Sequence, residues 1–105
     1  MNIPYISAEE VRKNLSMEDA IQCTENVYKL KSQDKTVVWP TIFYEFDPGH
    51  ADMDIKSGYL PEQHIFGHKT VAFMEGNVQK GLPDLVGLIA VFSSETGMPL
   101  GLVDG

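Results

Sequence analysis

Apolar positions recur along this chain with two different periods. From Met17 to Lys31, the residues Met17, Ala20, Ile21, Thr24, Val27 and Tyr28 fall at the spacing of one helical face. Ser16 stands before that stretch with Asp19 three positions on, and Ser7 stands before a shorter stretch with Glu10 three positions on. In each case a hydroxyl can accept from a free helical N–H, and the acid favours the positive end of the helix. The pattern predicts a short helix from about Ala8 to Lys13 and a longer one from about Met17 to Lys31. Cys23 lies beside the apolar stripe and reads as a small packing residue.

After a polar break at residues 32–35 the period shortens to two. Val37, Val38 and Trp39 lead to Pro40, which cannot donate to a ladder and marks an edge or bend. Ile42, Tyr44 and Phe46 alternate with Phe43 and Glu45 before an Asp47-Pro48-Gly49 turn. A short extended piece follows, about Met53 to Leu60, then a Pro61-Glu62-Gln63 connection. The next strand, about His64 to Met74, sets Ile65, Gly67, Lys69, Val71 and Phe73 on one face and apolar residues on much of the other. Two apolar faces predict a central strand covered on both sides. Glu75-Gly76-Asn77 turns the chain. Leu85 to Phe92 is a further buried-type strand, and Ser94-Glu95-Thr96-Gly97 turns into a last strand, Met98 to Val103. The predicted class is α+β: two N-terminal helices followed by a mixed, mostly antiparallel sheet of about five strands.

The 105 residues suffice for one small domain. The formal net charge of −7 repels phosphate backbones, so no nucleic-acid partner is expected. One cysteine allows no internal disulfide, which fits a reducing, cytoplasmic setting. No secretory leader is expected from the first residues, and no apolar run approaches the ~20 residues that would span a membrane.

Lys69 is the sharpest chemical candidate. It sits between Gly67 and Val71 on its strand face, where an ammonium needs a partner or an exit to solvent. A snorkelling lysine on an edge strand is the alternative. Gly67 leaves room for a ligand or another backbone. A carboxylate is the natural guest of three N–H donors on a point charge. Lys56, beside Ser57 and Gly58, could give a second contact to the same anion or be an ordinary surface lysine. His50, His64 and His68, with Asp52 and Asp54, invite a metal reading, but His64 and His68 are four apart, which on a strand is about 13 Å and too far for one metal ion. No metal site and no catalytic residue are assigned. Neither GxGxxG nor GxxxxGK[ST] occurs.

The opening SAEEVRKNLSMEDAIQCTENVYKL and the run GHKTVAFMEGNVQKGLPDLVGLIAVFSSETGMPLGLVDG together resemble the ornithine cyclodeaminase/mu-crystallin family. That family has a short S-x-E-x-V helix, then S-M-x-x-A-I, and later G-x-K-x-V followed by N-x-x-x-G-L-P and T-G-x-P-L. The resemblance implies an NAD(P)-dependent enzyme acting on a small amino or imino acid. Residues 1–105 would then be part of a substrate-binding and dimerisation domain, truncated before a Rossmann domain absent from this chain. It further implies that Lys69 contacts the substrate carboxylate, and that Asn77, Gly81, Leu82 and Pro83 line the site near the nicotinamide. A homodimer is expected. The family often carries a second basic residue near Pro40-Thr41, where this chain has none. Lys56 is its possible substitute. Asp84 stands where Thr or Ser is common. NAD or NADP belongs to the full-length family member, and the chain alone is expected neither to hold it nor to turn over substrate. The alternative is a non-enzymatic, stand-alone module that dimerises or binds a small acid.

Overall fold

Two hydroxyl caps start the helices as predicted. The computed structural model describes all 105 residues. In α1 (Ala8–Asn14) the Ser7 side chain accepts from the Glu10 N–H. In α2 (Met17–Ser32) Ser16 and Asp19 form a reciprocal capping box. The apolar stripe of α2 is present but uncovered: Met17, Ile21, Val27 and Tyr28 are all exposed. Cys23 is exposed as well, so it does not serve here as a packing residue.

The sheet has seven strands rather than about five. A two-residue strand, β1 (Tyr5–Ile6), precedes α1. The others are β2 (Val37–Val38), β3 (Ile42–Asp47), β4 (Ala51–Leu60), β5 (Ile65–Met74), β6 (Leu85–Ser93) and β7 (Pro99–Asp104). Their order is β1-β7-β6-β5-β4-β2, with β3 also paired to β4. All pairings are antiparallel except β1 with β7. β1 escaped sequence reading because two residues cannot display an alternation, and the strand-like run that begins at Val37 divides at the Pro40 bend into β2, at the sheet edge, and β3. The class, α+β with a mixed sheet, is as expected.

The turns follow local chemistry. Pro61–Gln63 is a single 3₁₀ turn closed by His64 in the left-handed region at φ 57°. Ser93 Oγ accepts from the N–H groups of Glu95 and Thr96 in the β6–β7 turn, and Gly97 supplies the positive φ of 73°.

β5 is central, as its two apolar faces predict, yet neither face is fully covered. Only Ala90, on β6, is buried. Leu85, Val86 and Leu88 are exposed, so β6 is not the buried strand its composition suggests. The accessible surface is 7816 Å², against roughly 5,900 Å² for a compact monomer of this mass. The radius of gyration is 15.7 Å, against about 13 Å for a compact 105-residue domain. No helix is long and apolar enough to cross a membrane.

Candidate functional site

Strand register determines what meets on each face of this sheet, because directly opposed residues project to the same side. The β4–β5 register sets Lys56 directly opposite Lys69. The β5–β6 register continues the row to Ile89, and β7 extends it to Val103. The neighbouring row on that face is Gly58, Gly67, Val91 and Gly101. Both lysines are exposed, and neither is within 4.0 Å of a carboxylate. Like charges directly opposed on a sheet are unfavourable. Two ammonium groups beside a row of small residues form a local positive field that an anion would relieve.

The small residues also serve the backbone. A Cβ at Gly67 would come within 2.5 Å of the Ala90 carbonyl oxygen, and one at Gly58 within 2.7 Å of that of Val37. The room that Gly67 provides is therefore taken by another strand. Lys56, Gly58 and Gly67 border a cleft of about 650 Å³ between α2 and the sheet, with Val27, Tyr28 and Lys31 on its helical side. Lys69 lies outside its lining.

The Asn77–Pro83 loop is closed on itself. Asn77 Nδ2 donates to the Pro83 carbonyl at 2.9 Å, Leu82 N–H donates to the Asn77 carbonyl at 2.9 Å, and Gly81 holds φ at 70°. The Asp84 carbonyl accepts from Met74 N–H at 2.7 Å, tying the loop's end to β5. Met74 is five positions beyond Lys69, roughly 16 Å along the strand. The structure thus joins Lys56 to Lys69, and Asn77 to Leu82 and Pro83, but leaves these two groups apart.

Three polar features take parts that sequence reading, which weighed these residues only as metal ligands, did not foresee. Asp54 Oδ1 is shut off from solvent and meets no donor. Asp54 lies opposite Val71, so it shares the face of Lys56 and Lys69. The alternation in Asp54-Ile55-Lys56 carried that signal. His50 Nδ1 contacts the Glu75 carboxylate, and Glu75 N–H donates to the His50 carbonyl at 2.9 Å, across the far end of β4 and β5. The Glu75 carboxylate, by hydrogen bond first and by charge second, holds the imidazole above its usual range, and Asp47 adds to this. His64 meets Glu95 at 3.4 Å, whereas His68 lies against the Phe92 ring.

Residues 4–105 match the ornithine cyclodeaminase/mu-crystallin family. The chain is 32% identical over 107 residues to an alanine dehydrogenase of Archaeoglobus fulgidus, covering 99% of the chain and 31% of that protein. It is 31% identical over 104 residues to a Δ1-pyrroline-2-carboxylate reductase of Colwellia psychrerythraea, covering 95% of the chain and 31% of the relative. Among solved structures, an archaeal alanine dehydrogenase dimer with bound NAD superposes with a TM-score of 0.88 at 31% identity. That superposition covers 99% of the chain and 31% of the dehydrogenase. The chain therefore spans about a third of the length of the curated relatives it matches.

Proposed function

Since the chain belongs to the ornithine cyclodeaminase/mu-crystallin family, we propose that it is the substrate-binding and dimerisation part of an NAD(P)-dependent enzyme. The substrate is a small amino or imino acid. One observation carries this assignment: the cross-strand pair Lys56 and Lys69, two unpaired cations on one face of the central strands. Lys69 holds the substrate carboxylate. Lys56 gives the second contact, in place of the base missing near Thr41. Asn77, Gly81, Leu82 and Pro83 border the nicotinamide side.

The residues of this chain do not fit a dinucleotide themselves. A pyrophosphate cradle needs a glycine-rich turn from a strand into a helix N-terminus. Here both α-helices follow Ser caps, and the glycines at positive φ, Gly49, Gly81 and Gly97, lie in turns that lead into strands or close loops. NAD or NADP would be held outside residues 1–105. The role of these residues is to bind and orient the acid. A reducing, cytoplasmic setting suits the single exposed thiol.

A second copy of the chain is the proposed partner. On the face opposite the lysines, Ile42, Tyr44, Val86 and Leu88 are exposed and sit in rows with Ile55, Met53 and Ala72. The surface in excess of a compact monomer, roughly 1,900 Å², is more than the ~800 Å² each partner buries in a standard interface. The related archaeal dehydrogenase is described as a dimer.

The test is NAD-linked turnover of small amino acids by the enzyme that carries this segment. Lys69→Ala should lower kcat/KM by about 10- to 150-fold, the loss of one charge-assisted hydrogen bond. Unchanged kcat/KM would remove Lys69 from the site. A non-enzymatic acid-binding module would use the same lysines and bind the acid with no NAD-linked turnover.

A further inference from the structure

We infer that Asp54 is the partner of the substrate's charged nitrogen, so that the site selects zwitterionic α-amino or imino acids over plain carboxylic acids; this rests on the anion-binding role proposed for Lys56 and Lys69. Asp54 Oδ1 is buried and unpartnered, the single such side-chain atom in the chain. A buried carboxylate oxygen without a donor is costly, and its need is met by any N–H donor brought to it. Neither lysine meets that need, for no ion pair involves Asp54.

The placement of the three side chains fits one ligand. Lys56 is two residues along β4 from Asp54, about 7 Å away on the same face. Lys69 is the diagonal cross-strand neighbour of Asp54, at about 7–8 Å between backbones. An α-amino acid carries its carboxylate and its ammonium on one carbon. With the carboxylate between the lysines, the nitrogen can turn along β4 toward Asp54, whose carboxyl must rotate to bring Oδ1, closed to solvent here, within reach. The face then offers two positive groups and one negative, complementary to a zwitterion. A deaminated acid would use the lysines and leave Asp54 Oδ1 unpaired, which is how a buried polar group rejects an analogue lacking its partner.

The experiment compares affinities of the enzyme carrying this segment for L-alanine against propionate, and for L-proline against cyclopentanecarboxylate. Four forms are used: wild type, Asp54→Asn, Asp52→Asn and Lys69→Met. Circular dichroism and melting temperature monitor folding of each. Wild type should prefer at least one amino acid to its deaminated partner by about 10-fold or more, the worth of a charged hydrogen bond. Asp54→Asn should bring that ratio close to one while propionate affinity holds. Asp52→Asn, two residues further from the lysines, should keep the ratio. Lys69→Met should weaken both ligands together. A preference that survives in Asp54→Asn overturns the inference. So does an Asp54→Asn protein that loses stability or assembly with its preference intact, since Asp54 would then be a packing residue. Should Lys69→Met bind propionate as wild type does, or should neither pair bind at all, the carboxylate site itself fails and the role of Asp54 falls with it.

Discussion

Replacing Gly67 by alanine adds one methyl group where, of all the glycines, a Cβ would come closest to another backbone. The new Cβ would sit 2.5 Å from the Ala90 carbonyl oxygen, 3.5 Å from its carbon and 3.5 Å from the Val91 Cα. The obstacle is the backbone of β6, paired along its length with β5, and Ala90 is the one buried residue of the chain. A strand cannot swing aside like a side chain, so the β5–β6 ladder must open or twist. Overpacking of this kind costs about 1–3 kcal/mol. Alanine returns about 0.4–1 kcal/mol by restricting the unfolded chain. The expected net loss is about 1–2 kcal/mol, which at about 4–8 °C per kcal/mol is a fall in Tm of roughly 5–15 °C. Gly76 provides the comparison, because a Cβ there meets nothing within 4 Å. Thermal unfolding followed by circular dichroism, in the assembled protein and at one protomer concentration, measures both. Gly67→Ala melting within 1 °C of wild type would refute the close approach. A Gly76→Ala protein that falls as far would show that the loss is not steric.

Lys replacement of both Val86 and Leu88, exposed on the face opposite the lysines, should convert a dimer to monomer in sedimentation velocity; a dimer that persists would place its interface elsewhere. Ser16→Ala removes the α2 cap and should cost about 1 kcal/mol in urea unfolding. His50 should titrate above 6.5 by NMR, since Glu75 and then Asp47 favour its charged form. Its raised folded pKa means that the stabilisation is full below the unfolded value of about 6.5 and is lost as pH rises through the folded value. The Tm advantage of wild type over Glu75→Gln should therefore shrink across that interval, and a constant difference would contradict the pairing.

Helix caps, turn residues and period-2 alternation were legible in the sequence because each is a local signal. Ser7, Ser16 and Gly97 act where their types predict. Strand β1 was not legible, since two residues carry no period and its pairing with β7 is decided in three dimensions, whereas Val37 and Val38 were legible as an extended edge before Pro40 but not as a strand separate from β3. The exposure of Leu88 and Tyr28 was also hidden: apolar composition says that a surface wants cover, not whether this chain supplies it. Lys56 and Lys69 were found as separate candidates, and only the register makes them neighbours. Asp54 was weighed only as a conceivable metal ligand: the alternation puts it on the face of Lys56, but its burial without a donor is visible only in the structure.

In the proposed site Lys56 and Lys69 act together on one carboxylate. The decisive measurement of that joint action is a double-mutant cycle on carboxylate binding, with Lys56→Met, Lys69→Met and the double variant titrated calorimetrically with the preferred amino acid. Each single change should weaken binding by about 10-fold or more, and the double change should cost clearly less than their product, because the two share one anion. Full additivity would contradict joint action, and unchanged affinity in Lys69→Met would contradict the site itself.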